Sequence, residues 1–167
     1  MKLASRPLVR IAIACLLVTP LPAAALCTLA CSCSASTAAV AFGSYNPLAS
    51  ANMDVTGSIT VTCSGVLGLT VPFTIAMNRG INASSFSPRK LASGSNLLNY
   101  NLYDSAARTS IWGDGTGGTN TVSGSVNTGL AGSASATFTV YGRIPGSQNT
   151  TPPGSYSDTV TVTVTYS

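Results

Sequence analysis

Ser157-Asp158-Thr159-Val160-Thr161-Val162-Thr163-Val164-Thr165-Tyr166 is the stretch on which the reading of this chain turns. Val160, Val162, Val164 and Tyr166 fall on one face of an extended strand, and Thr159, Thr161, Thr163 and Thr165 on the other. A period of two in β-branched and aromatic residues is the signature of a half-buried β-strand. Such a strand pairs on both sides, or carries charge and proline where it lies at an edge. This run has Asp158 at its start, no proline, and only Ser167 behind it. What pairs with its free edge becomes the question of function.

Working outward, the same short-strand pattern recurs. Residues 37–42 form an apolar run ended by Gly43, and the turn signal Asn46-Pro47 follows. In residues 57–63, Ile59, Val61 and Cys63 share a face. Residues 69–77 are apolar, with Pro72 predicting a bulge or an edge position. Residues 78–95 read as a long polar loop with a short strand near Arg89, Lys90 and Leu91. Residues 97–103 alternate through Leu98, Tyr100 and Leu102. Ile111-Trp112 leads into a glycine-rich turn at 113–118, and residues 134–144 place Ala136, Phe138, Val140 and Gly142 on one face. Pro152-Pro153-Gly154 turns into the terminal strand. No segment beyond the N-terminus has a helical period, so the pattern predicts a single all-β domain, a β-sandwich of six substantial strands.

The N-terminus reads as an export signal. Lys2, Arg6 and Arg10 precede an apolar stretch at 11–18, and Ala23-Ala24-Ala25 supplies small residues for cleavage after Ala25. Residues 1–25 are therefore assigned to a signal peptide and 26–167 to the mature domain. The apolar stretch is too short to span a bilayer well, and no second one follows. Removing the signal leaves five basic and four acidic groups, a net charge of about +1, which argues against a nucleic-acid partner. Cys27 and Cys31 lie where a lipid anchor would attach, but Ala25-Leu26 and Leu29-Ala30 fit a lipobox poorly.

Losing Cys15 with the signal leaves Cys27, Cys31, Cys33 and Cys63, an even set bound for an oxidising compartment. Three pairings are open, and every fully oxidised one ties Cys63 to the N-terminal cluster. Four thiolates can also hold zinc, but two C-x-x-C knuckles are lacking.

Catalysis finds little support in these residues. There is no His, so triad chemistry lacks its proton relay. Four Asp residues are the only carboxylates, and each sits in a turn-like context. Asp114-Gly115-Thr116-Gly117-Gly118 offers one carboxylate where a calcium loop places several. Asn82-Ala83-Ser84 and Asn149-Thr150-Thr151 match the glycosylation sequon. Tyr45, Tyr100, Tyr103, Trp112, Tyr141 and Tyr156 suit either a sandwich core or a sugar-binding surface. The reading is a non-enzymatic protein with no cofactor and no metal.

Several blocks, taken in order, resemble a known family. Phe42-Gly43-Ser44-Tyr45-Asn46-Pro47-Leu48 and Gly57-Ser58-Ile59-Thr60-Val61-Thr62-Cys63 look like the opening of the spore coat protein U domain. Leu98-Asn99-Tyr100-Asn101-Leu102-Tyr103, Ile111-Trp112-Gly113-Asp114-Gly115 and Thr139-Val140-Tyr141-Gly142-Arg143-Ile144-Pro145 continue it. Pro153-Gly154-Ser155-Tyr156-Ser157-Asp158 and the Val/Thr strand close it, so the likeness covers about residues 33–166.

The resemblance implies an immunoglobulin-like sandwich lacking its final strand, as in subunits of archaic chaperone–usher pili. There a periplasmic chaperone lends a strand, which the N-terminal segment of the next subunit replaces, an instance of strand addition. The implied partners are that chaperone, an outer-membrane usher and other pilin subunits. The implied location is the cell surface or an extracellular fibre reached through the periplasm, with adhesion and biofilm formation as its use. The acceptor groove would be marked by Gly154, Val160, Val162, Val164 and Tyr166. The family's disulfide maps onto Cys33 and Cys63, leaving Cys27 and Cys31 to pair with each other. Only residues 26–32 precede Cys33 in the mature chain, a short donor, so the chain is expected to accept a strand better than it gives one. The alternatives are a secreted carbohydrate-binding sandwich and a coat protein not built into a fibre.

Overall fold

A computed structural model describes residues 31–167. The expected signal peptide, its cleavage point and Cys27 lie outside the described residues. Eight strands form two antiparallel sheets: β1 (Ser32–Ala38), β2 (Met53–Ser64), β3 (Thr70–Met77), β4 (Arg89–Ser93), β5 (Asn96–Tyr103), β6 (Val122–Asn127), β7 (Ser133–Ile144) and β8 (Val162–Tyr166). One sheet has the order β1-β2-β7-β5-β4 and the other β6-β3-β8. The alternating residues meet between them: Ile59, Val61 and Cys63 from β2, Val71, Phe73, Ile75 and Met77 from β3, and Val140 and Ile144 from β7 are all buried. On the outer face the hydroxyls of Thr60 and Thr137 pair at 2.9 Å, and those of Thr62 and Ser135 at 2.7 Å. The abundance of Ser and Thr thus serves cross-strand pairing on the solvent side.

Two strands escape the sequence pattern. β1 reads SCSASTA and is exposed along nearly its whole length, because only the ladder to β2 and the Cys33–Cys63 disulfide hold it. β6 reads VSGSVN, and Val126 is its one buried residue. Neither offers the apolar face on which a strand prediction rests. Residues 39–42 of the expected first strand are not in a strand, and among the described residues the count is eight rather than six.

Pro72 lies in the central strand of its sheet, not at an edge. Its carbonyl accepts from Ser167 N. The N–H and C=O of one strand residue point the same way, so the missing donor of Pro72 faces the point where β8 has already ended.

The terminal run is not one strand. Ser157 exchanges both backbone hydrogen bonds with Ala92 of β4, whereas Val162–Tyr166 pairs with β3. The chain changes sheets in between, a corner of the kind sandwiches use. Asn78 holds the far side of that corner: its N–H donates to Thr161 O, and its side-chain Oδ1 accepts from Thr161 N.

A buried arginine organises the loops at this end. Arg89 is fully buried; Nε and Nη2 donate to Asn78 O, Nη2 also to Trp112 O at 2.7 Å, and Nη1 to Asn101 Oδ1 at 2.8 Å. Burial pulls the Arg89 guanidinium below its ordinary value, opposed by Tyr100 and Asp158. Arg89→Met is expected to cost about 3–5 kcal/mol in chemical denaturation, because it takes the donors from the Asn78 and Trp112 carbonyls and leaves the Asn101 amide oxygen only Leu102 N.

Candidate functional site

β1 ends one sheet and β8 ends the other, and both edges lie on the same flank of the sandwich. Among the described residues no strand pairs with the outer side of either. Backbone groups of Thr161 and Ser167 point to β3, since they bond Asn78 and Pro72. Direction alternates along a strand, so the peptide groups of Val162, Val164 and Tyr166 point to the open side. The two edges present hydrogen-bonding groups across a gap.

That gap is a trench with an apolar floor. A cavity of about 320 Å³ has one wall from residues 37–40 and another from 158–160 with Val162; Ile59, Met77, Leu102 and Val140 lie beneath. It opens past Phe42 and Leu91 into a wider cleft of about 750 Å³ lined by Tyr45, Leu98, Ile144, Pro152, Gly154 and Tyr156. Phe42 meets Tyr100 edge-on at 5.9 Å. Val40 and Phe42 enter the sandwich because Gly142 has no side chain; a Cβ there would collide with both.

Asp158 stands where the narrow and wide parts meet. Its Oδ1 accepts from Ile81 N, Asn82 Nδ2 and Thr159 N, and its Oδ2 accepts from Tyr100 Oη at 2.6 Å. Gly80 makes room for this carboxylate, since a Cβ at that position would strike it. The sheet change of the terminal run is thus pinned by Asp158 on one side and by Asn78 on the other. Asn82 also donates to Ser157 O, so the first of the two sequons has its amide engaged.

Tyr100 is buried, and burial, then its hydrogen bond to Asp158, raises its hydroxyl well above the ordinary phenol value. A raised folded value means the stabilisation is complete below the unfolded phenol pKa of about 10 and is lost as pH rises from there. Unfolding free energy is expected to fall by up to about 1.4 kcal/mol per pH unit above pH 10. Tyr100→Phe should flatten that decline in denaturant titrations at rising pH.

The expected groove residues separate into three places. Val160 and Val162 line the narrow cavity, and Val164 packs half-buried against the core. Tyr166 pairs opposite Phe73 at the far end of the flank and is 37% exposed. Gly154 sits in the turn on the rim of the wide cleft, off the strand. The floor (Ile59, Met77, Leu102, Val140) was visible in the sequence as core parity, but its role beneath an open flank was not.

Cys33 and Cys63 form a disulfide with Cα atoms 4.1 Å apart, where β1 and β2 stand in register. Cys31 is disulfide-bonded as well. Among the described residues no group of three or more His, Cys, Asp or Glu side chains could hold a metal. Asp114 caps its own turn, accepting from Thr116 N and Oγ1.

The fold and flank define an antiparallel β-sandwich with an open, apolar-floored edge. A profile of the Spore Coat Protein U domain matches residues 17–163, and the chain belongs to that family. The match starts within the stretch read as an export signal. A comparison with curated proteins returned no match. Among solved structures, the chain is similar to one in the crystal structure of the CsuC–CsuE chaperone–tip adhesion subunit pre-assembly complex from archaic chaperone-usher Csu pili of Acinetobacter baumannii. The TM-score is 0.54 at 22% identity, over 80% of this chain and 39% of that one. This chain spans about two fifths of that solved chain's length.

Proposed function

We propose that this protein is a subunit of an extracellular pilus, assembled by strand addition into the trench between β1 and β8. The carrying observation is that both sheets end on one flank, with an apolar floor between their unpaired edges. An extended donor segment there gains main-chain hydrogen bonds from the edge and burial from alternate side chains. Each large apolar side chain contributes roughly 1.5–3 kcal/mol, so four or five supply on the order of 10 kcal/mol before ordering costs. Family membership and the likeness to a chaperone–usher pilus structure support a periplasmic chaperone as first donor, an usher as exit, and another pilin subunit as the final donor.

In this reading cleavage after Ala25 releases residues 26–167 into the periplasm, where Cys27 pairs with Cys31. The mature protein has no catalytic role. The carbohydrate-binding alternative needs exposed aromatic faces, yet Trp112 and Tyr100 are buried and Tyr45, Tyr103, Tyr141 and Tyr156 are half-buried.

Co-production with a periplasmic chaperone of an archaic chaperone–usher system from the same bacterium tests the proposal. The expected product is a one-to-one complex on gel filtration, with self-associated or degraded subunit when the chaperone is left out. A stable monomer that ignores the chaperone would sink it.

A further inference from the structure

Among the described residues the two sheets end on β1 and β4 in one and on β6 and β8 in the other. β1 and β8 face the trench, and the outer side of β4 is met by Ser157, which pairs with Ala92. β6 has no such cover: no described strand or bridge pairs with its outer side, and no loop bonds the main chain of Ser123 or Ser125. Edges of this kind are normally guarded by charge or proline. Residues 115–142, which hold β6 and the chain on either side of it, contain no Asp, Glu, Lys, Arg or Pro.

The direction of the main-chain groups on this edge follows from β3. Pro72 turns toward β8, where its carbonyl accepts from Ser167 N. Direction alternates, so Val71, Phe73 and Ile75 face β6, and their register partners Val126, Gly124 and Val122 face back. Ser123 and Ser125 therefore present their N–H and C=O groups to the open side. Their side chains are exposed on the outer face, whereas Val126 is buried and Val122 half-buried on the inner one.

The edge reads Val122-Ser123-Gly124-Ser125-Val126, the same in both directions, with an Asn and a Thr flanking it on each side. We propose that it is self-complementary, and that two copies of this chain join side by side through it, antiparallel, about a two-fold axis at Gly124. In that register Ser123 stands opposite Ser125 of the second copy, and Ser125 opposite its Ser123. All of these residues point at the edge, so each pair exchanges both main-chain hydrogen bonds. A shift of one residue sets outward groups against inward ones and bonds nothing. On the outer face the serine hydroxyls meet as Thr60 and Thr137 do at 2.9 Å, and Thr62 and Ser135 at 2.7 Å. On the inner face Val122 lies beside Val126 of the second copy. The contact is separate from the trench and needs no donor strand. One short edge associates weakly and gains strength where copies are arrayed, and the subunit keeps its one-to-one ratio to a chaperone.

Single variants Ser123→Cys and Ser125→Cys, each purified with the chaperone so that the trench is filled, are mixed and mildly oxidised. Opposed residues in such a pair have Cα atoms about 5.5 Å apart, within reach of a disulfide. The mixture should give about fivefold more two-subunit adduct than either variant alone, because position 123 meets position 125 only across two copies. Equal yields from mixed and unmixed samples would overturn the proposal. Light scattering at rising concentration supplies the second measurement. Ser125→Pro removes an N–H that points outward and leaves the ladder to β3 intact, so it should weaken association about tenfold while chaperone capture is unchanged. Ser123→Lys with Ser125→Lys reads the same loss if proline disturbs the strand. Association as strong as that of the unaltered protein in a folded variant of either kind would also overturn it. Absence of chaperone capture by the unaltered subunit would defeat the trench reading alone, and the same mixing on the free subunit would then decide this one.

Discussion

Replacing Val162 with Asp is expected to abolish strand capture while leaving export unchanged. Val162 lies on the wall of the narrow cavity, on the β8 edge where a donor would dock, and its side chain packs against the core. A carboxylate there loses water when the donor closes over it, with no cation in the cavity lining to pair with. The penalty is about 3 kcal/mol or more, a loss of at least a hundredfold in affinity. Thr163→Asp is the control, because that side chain points to solvent. Titration of the chaperone or a donor peptide against the three proteins reads both outcomes, and equal binding by Val162→Asp would count heavily against the trench.

Cys33→Ser combined with Cys63→Ser should have the second large effect. The bridge closes a separation of 30 residues, for which chain entropy gives about 3–4 kcal/mol. Its position matters as much as its size. β1 has almost no buried face and pairs only with β2, so the disulfide and one ladder hold the strand that leads into this wall of the trench, while Val40 anchors the wall beyond it. The oxidised protein should bind a donor, whereas the double variant should lose protection along β1 and bind at least tenfold more weakly. A double variant that binds normally would show that β1 needs no staple.

The legible part of this fold was the part with parity. β2, β3 and β7 bury alternate residues and β5 buries Leu98, Tyr100 and Leu102 with Asn101 beside them, and their Ile, Val, Leu and Tyr positions announce it. β1 and β6 were illegible for the opposite reason: Ser, Ala, Gly and Thr give no apolar face, and their ladders rest on main-chain bonds and neighbours distant in sequence. The terminal run misled in its extent. Its Val/Thr alternation spans the whole stretch, but the corner at 158–161 is set by Asp158, Asn78 and Tyr100, which no local pattern connects. Arg89 was expected in a short strand within a polar stretch, but its burial was not legible, since burial of an arginine is decided by carbonyls from loops far along the chain. The trench was legible as an unguarded edge strand. Its second wall at residues 37–40 was not, because that segment reads as an ordinary apolar run.

Hydrogen exchange at the amides of Val162, Val164 and Tyr166 tests the central claim most directly. These groups point away from β3, so in the unpartnered subunit they should exchange at nearly the rate of an open chain, while the β3-facing amides of Thr163 and Thr165 are protected. Addition of the donor should slow all three outward amides together. Protection of these three in a monomeric subunit with no donor present would mean that the flank is already closed, and would contradict the account.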